Sequence, residues 1–374
     1  MKKGCQKYVC MSLATLLLLG TAPVAALAED GFQEIMPVYQ EIMPVQEEIM
    51  PVQGGMVTDG DVCYFAGGTA EALENISIGG ILYINIPNAA GIRLAKATFD
   101  LEALAESKAL QVLRVSAFGT EIDVPIAAIN RISKRAESIQ FTFTADGFSF
   151  MILDADGDEY VWRDGTNHIS VSMAFRVPMD ISTHQIVLMH QESGAVARSF
   201  YKDGKVYAKL NQSGEYTASI ESIGGYTDTA QKWMHTAAGY MTARGVVSGS
   251  DGLFNPGRQV SRAEFQSMLF RTLCTAPPID DNANEMITRQ EMIFMAYRAM
   301  EVCGMLPQVM TEQWIMFDDW EGNVLPAYSN AIQALCKMNI ISGTGNGRLN
   351  PNGIATRAEA VQILYNILMY DKAR

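Results

Sequence analysis

Residues 245–264 read Gly-Val-Val-Ser-Gly-Ser-Asp-Gly-Leu-Phe-Asn-Pro-Gly-Arg-Gln-Val-Ser-Arg-Ala-Glu, and the last four decide the fold. In Ser261-Arg262-Ala263-Glu264 a hydroxyl residue is followed three positions later by a glutamate, just ahead of the apolar positions Phe265, Met268 and Leu269. This is a capping box. The hydroxyl accepts from a first-turn backbone N–H, the glutamate reaches back to the N–H of the cap, and a helix starts there. The pattern recurs as Thr288-Arg289-Gln290-Glu291 and as Thr356-Arg357-Ala358-Glu359. After the third box, Ala360, Ile363, Leu364, Ile367 and Leu368 repeat the apolar helical face. All three boxes carry an arginine at the first helical position, where a cation opposes the helix dipole. A locally unfavourable choice made three times points to an anion met by the arginines.

Residues 231–244 and 327–338 read as shorter helices ahead of the first and third boxes. Each is followed by a glycine loop, Ser248-Gly249 or Ser342-Gly343, and then by an Asn-Pro turn, Asn255-Pro256 or Asn350-Pro351. The unit is a short helix, a glycine loop, a turn and a capped long helix, which cannot bury its apolar face without neighbours. The ordered combination, over roughly residues 226–372, resembles the S-layer homology domain, the module that holds bacterial surface proteins to the cell wall.

That resemblance implies three repeats around a pseudo-threefold axis, with grooves between them that bind secondary cell-wall polysaccharide. This polymer often carries pyruvate ketals, whose carboxylates make it anionic. By the same resemblance Arg262, Arg357 and Arg289 meet the ligand, with Gly249 and Gly343 offering backbone N–H groups and Ser248 and Ser342 hydroxyls. Trp233 would give a flat face for a sugar ring, and Asp228 and Asp318 stand where the family has an acid before the short helix. The chemistry fits, because arginine presents a planar fork to a carboxylate and glycine lets the backbone approach closely. One departure is visible. Arg262 and Arg289 are 27 residues apart, Arg289 and Arg357 68, so the middle repeat keeps its long helix and has lost its front half. Repeats are expected at 226–274, 275–305 (partial) and 314–372. Arg262 and Arg357, which follow complete loops, are expected to matter more than Arg289.

The rest of the chain divides by composition. Residues 1–28 read as a secretory signal peptide: Lys2, Lys3 and Lys7, an apolar centre from Leu13 to Leu19, and the small-residue site Ala26-Leu27-Ala28. Cleavage removes three lysines and no acids, so Lys+Arg falls from 28 to 25 against 41 Asp+Glu, and the formal charge moves from −13 to −16. Such a chain repels nucleic acid and anionic lipid. Neither nucleic acid nor, after cleavage, a membrane is an expected partner. Residues 29–58 carry Glu-Ile-Met-Pro-Val three times at a seven-residue period. A proline in each unit argues for an extended linker over a coiled coil.

Residues 60–221 form the third part. Strand-like runs at 81–86, 110–115, 139–144, 148–153, 169–175, 186–189, 206–210 and 216–220 are separated by turn pairs such as Asp146-Gly147, Asp203-Gly204 and Ser213-Gly214. Helical patterns interrupt at 101–109 and 126–135. The fold class is therefore α+β: a strand-rich domain with two short helices, finishing in a run of hairpins, followed by an all-α repeat domain at 224–374.

No constellation for chemistry stands out. Asp154-Ala155-Asp156-Gly157-Asp158 spaces carboxylates like a calcium loop but lacks the downstream glutamate, and a hairpin turn is the simpler reading. His168, His184, His190 and His235 show no metal-ligand spacing, and Cys63, Cys274, Cys303 and Cys336 show neither C-x-x-C spacing nor a disulfide framework. No cofactor, metal or catalytic residue is expected. The reading is a non-enzymatic surface protein anchored to wall polysaccharide. The alternatives are a similarly anchored wall or polysaccharide hydrolase and a subunit that self-assembles through the β-rich domain.

Overall fold

The period-two alternation of the strand-rich part resolves into two sheets facing one core. The computed structural model describes residues 55–75, 77–163, 169–229, 233–273, 282–307 and 313–372. The signal peptide, the Glu-Ile-Met-Pro-Val units, His168 and Cys274 lie outside these. One sheet runs β1 (Met56–Asp59), β2 (Val62–Ala66), β4 (Leu94–Asp100), β7 (Ser138–Phe143), β8 (Gly147–Leu153), β13 (Gly214–Ile220), β10 (Ile186–His190). The other runs β11 (Arg198–Lys202), β12 (Lys205–Leu210), β9 (Ile169–Ala174), β6 (Thr120–Pro125), β5 (Val112–Ala117), β3 (Ile81–Asn85). Alternate residues point between the sheets, among them Phe99, Phe141 and Phe150 from one and Ile84, Val115 and Ile122 from the other. Each such fully buried side chain contributes roughly 1.5–3 kcal/mol.

Sequence reasoning found eight strands and missed β1, β2, β4, β6 and β11, and β1 begins at Met56, inside the stretch assigned to the linker. Helix α1 (Ala70–Asn75) was also missed, while α2 (Leu101–Glu106) and α3 (Ile126–Ile132) occupy the expected helical patterns, ending earlier. Most strand pairs are antiparallel, but β2–β4 and β3–β5 are parallel. The closing run of hairpins is corrected as well. Asp203-Gly204 does turn β11 into β12, both residues at positive φ. Ser213-Gly214 instead carries the chain from one sheet to the other, since β12 and β13 are not neighbours. Gly214 is required there because a Cβ would stand 2.1 Å from the His190 ring. The Asp154 carboxylate accepts from the N–H groups of Asp156 and Asp158, closing a turn of the expected kind.

The helical part consists of α4 (His235–Ala243), α5 (Arg262–Leu273), α6 (Arg289–Val302), α7 (Pro326–Lys337) and α8 (Arg357–Lys372). The long helices α5, α6 and α8 contact one another and bury Phe265, Leu269, Ile293, Ala296, Leu364 and Ile367 in one cluster. The short helix α4 packs on α8, and α7 on α6. On α8, Tyr365 meets Tyr240 of α4 edge-on; the matching position on α5 is Phe270, 60 % exposed.

The described residues form one compact unit, and polar groups hold its two halves together. Arg244, at the C-terminal cap of α4, donates to the carbonyls of Ser199 (2.9 Å), His184 (3.1 Å) and Ile186 (3.3 Å) from the strand-rich half. Its guanidinium lies 3.3 Å from the centre of the Tyr240 ring. Burial pushes it down to about 10, so it stays charged at neutral pH. Asp371, in the last turn of α8 where the helix dipole disfavours an acid, is met by Arg198 at 3.1 Å and Lys209 at 2.9 Å. Cys63, Cys303 and Cys336 are buried free thiols.

Candidate functional site

All three capping boxes form. Ser261, Thr288 and Thr356 accept from the N–H of Glu264, Glu291 and Glu359, and each glutamate accepts from the N–H of its cap. The residues just before the caps close a ring. Val260 N–H donates to Ala355, Ala355 N–H to Ile287, and Ile287 N–H to Val260, at 2.9–3.1 Å. The next two donors of each helix are also taken by a neighbouring repeat: Arg262 and Ala263 by Glu285 and Ala283, Arg289 and Gln290 by Gly353 and Pro351, Arg357 and Ala358 by Arg258 and Pro256. The leading N–H groups of all three helices are therefore occupied, and any anion must be met by side chains.

The three arginines differ. Arg262 is bonded to Glu285 at 3.0 Å and to Glu291. Arg289, 7 % exposed, pairs with Glu359 at 3.0 Å and donates to the Ser342 carbonyl at 2.9 Å. Arg357, 8 % exposed, donates to the Ser248 carbonyl and lies 4.7 Å over the Phe254 ring. Among the described residues no carboxylate is ion-paired with Arg357; its Nε atom, like that of Arg289, is buried without a hydrogen-bond partner. Burial first, and then the charge of Arg258, lowers the pKa of this guanidinium.

Pairing of arginines with loops is thus corrected. An arginine sits against the glycine loop of another repeat: Arg357 against that of the first, Arg289 against that of the third. Among the described residues Arg262 meets no glycine loop and is bonded to Glu285 and Glu291 instead.

Other expected residues take different roles. A Cβ on Gly249 would lie 2.4 Å from the Leu253 carbonyl, and one on Gly343 2.5 Å from that of Arg348, so both glycines are needed for backbone packing. The N–H of Gly249 is donated to the Tyr226 hydroxyl at 2.9 Å. Ser248 and Ser342 are exposed, and their backbone carbonyls accept from Arg357 and Arg289. Asp228 accepts from the N–H groups of Phe254 and Asn255, ordering the Asn-Pro turn. Its counterpart is Asp319, which accepts from Leu349 and Asn350, rather than the expected Asp318. Aligning Tyr226 with Phe317, whose rings pack on Gly249 and Gly343, would have shown this register. Trp233 is 66 % exposed, in the turn before α4. Sequence reasoning missed Arg258, whose side chain bonds Glu264 at 2.7 Å.

A pH dependence follows. Burial opposes ionisation of Glu264, Glu291 and Asp319, but arginine and backbone N–H partners outweigh it and hold all three below their ordinary values of 4.5 and 3.8. A depressed folded-state pKa contributes stability that is complete above the ordinary value and lost as pH falls through the folded one. The denaturant midpoint should hold steady from pH 7 to 5 and fall below about 4. A midpoint equal at pH 6 and pH 3 would contradict this.

A cavity of about 220 Å³ lies beside α4, lined by residues including Ser182, His184, Tyr226, His235 and Tyr240. None of its lining residues is a carboxylate.

With this geometry in view, comparison with known proteins places the helical part. The S-layer homology domain profile matches residues 225–265 and 317–361, so this part of the chain carries S-layer homology repeats. The chain is 24 % identical over 201 residues to "Exoglucanase XynX" of Acetivibrio thermocellus, covering 45 % of this chain and 18 % of that protein. It is 27 % identical over 189 residues to "Amylopullulanase" of Thermoanaerobacterium thermosulfurigenes, covering 40 % of this chain and 10 % of that one. The chain thus spans less than a fifth of either relative. S-layer homology domains bind secondary cell-wall polysaccharide in general and imply cell-wall anchoring of a surface protein. No described helix is long and apolar enough to cross a membrane.

Proposed function

We propose that this chain is an exported, non-catalytic surface protein, held to anionic secondary cell-wall polysaccharide through Arg357 and displaying the β-sandwich. The observation that carries this is the state of Arg357. It is a deeply buried guanidinium with an aromatic ring beneath it, one carbonyl in front of it, and no ion-paired carboxylate among the described residues. A buried cation without its counter-charge is costly, and an incoming anion relieves that cost. Pyruvate ketals on the polymer would supply the carboxylate that the fork fits.

The names of the two relatives favour a second reading, a polysaccharide hydrolase using the same anchor. Against it, both sheets of the strand-rich domain face a filled apolar core, and the cavity beside α4 is lined without carboxylates. Self-assembly into a surface lattice through the β-sandwich is the third reading, tested by lattice formation from mature protein. The main test is sedimentation of the mature chain with purified cell walls. The protein should pellet with walls that retain their polysaccharide and stay in solution once it is extracted. Equal sedimentation with extracted walls would sink the anchoring reading.

A further inference from the structure

We propose that charge grades the three arginine sites, so that only the one at Arg357 takes an anion, with Arg258 as its second cationic arm. This rests on the wall-binding reading above. The grading starts at the position four residues before each box arginine: Arg258 before Arg262, Glu285 before Arg289, Gly353 before Arg357. The carbonyls of these same residues accept the first-turn N–H groups across the ring, from Arg357, Arg262 and Arg289 respectively. Each arginine is therefore set beside a different neighbour: Arg357 beside a cation, Arg262 beside an acid, Arg289 beside a residue with no side chain.

The consequences for charge are direct. At Arg262 two carboxylates, Glu285 and Glu291, face one guanidinium. At Arg289 one carboxylate, Glu359, balances it. At Arg357 the charge of a second guanidinium, Arg258, is felt, and the carboxylate that acts on Arg357, Glu264, is itself bonded to Arg258. Only this third site has an excess of positive charge, and only there does an anion gain attraction without displacing an internal partner from the buried arginine.

The two arginines also suit different tasks. Arg357 is held by Ser248 and by the Phe254 ring, so its fork is pre-oriented. Arg258 is close to half exposed and tied only by a surface ion pair, an interaction weak enough to exchange for a ligand. The ligand class is a sugar bearing a carboxylate or a phosphate, and one such group is taken per chain.

The test is titration calorimetry of the mature chain with two probes, a methyl hexoside carrying a pyruvate ketal and a hexose 1-phosphate, beside sedimentation with purified walls. One probe should bind with a stoichiometry of one, and its identity names the anion. Arg258→Ala should weaken it about tenfold with at most a small change in melting temperature, since the side chain of Arg258 gives the fold only a half-exposed ion pair to Glu264. Unchanged affinity in Arg258→Ala, or two or three sites per chain, would overturn the grading while leaving wall binding intact. Neither probe binding while walls still sediment the protein would overturn the anion assignment. Failure to bind walls at all would instead overturn the reading on which the proposal rests.

Discussion

Arg244→Ala is expected to lower the stability of the folded unit by about 3–5 kcal/mol, the largest single-residue effect anticipated here. The guanidinium is buried and supplies donors to three carbonyls on the strand-rich half, at Ser199, His184 and Ile186. Truncation leaves those acceptors without these donors, at about 1–3 kcal/mol for each that finds no replacement, and opens a void beside Tyr240. Arg244→Lys should recover little, because one ammonium cannot span carbonyls that a planar fork reaches together. The measurement is chemical unfolding followed by fluorescence and circular dichroism. Wild type should unfold in one coincident transition, and Arg244→Ala should split or shift it. An Arg244→Ala midpoint equal to that of wild type would show that the Arg244 hydrogen bonds contribute nothing to stability.

The second large effect concerns binding. Arg357→Ala should weaken sedimentation with walls tenfold or more, the loss typical of one charged hydrogen-bond partner. Its stability should stay within about 1 kcal/mol of wild type, because the truncation removes a buried charge that has no ion-paired partner to strand. Arg289→Ala should behave in the opposite way. It takes the partner from Glu359 and from the Ser342 carbonyl, so it should lower the melting temperature more than the affinity. Arg262→Ala should affect binding least, since its guanidinium is committed to Glu285 and Glu291. This order differs from the one expected from the boxes and loops, which placed Arg262 beside Arg357 at the top. Arg357→Ala protein that still pellets with walls would refute the assignment.

Much of the candidate site was legible in the sequence, and the illegible part has a physical pattern. The boxes at Ser261, Thr288 and Thr356 were readable because a cap and its glutamate are three residues apart and need no tertiary partner. The long helices followed from spacing and the glycine loops from their turn residues. The strands that were missed are those where alternation is blurred: β2 and β4 run parallel to each other, and β4 carries alanines where larger apolar residues would mark the buried face. Asp319 was displaced by one because two adjacent aspartates offer no local reason to choose, and only the N–H groups of Leu349 and Asn350 select between them.

The sequence by itself determined that three capped helices would form, that their apolar faces had to meet, and that arginines would stand at equivalent places. Tertiary structure decided what each arginine touches. Arg289 reaches a carbonyl 53 residues away and a carboxylate 70 away, and Arg357 a carbonyl 109 away. Those separations exceed any local rule, because the closed ring hands the first two helical N–H donors of each long helix to another repeat. The same holds for Asp371 and Arg244, which look like ordinary helix-end residues until the β11 and β12 strands are laid against them. Capping is a matter of a few bonds along one chain segment. The balance of charge at a buried guanidinium depends on which distant segments the fold brings beside it.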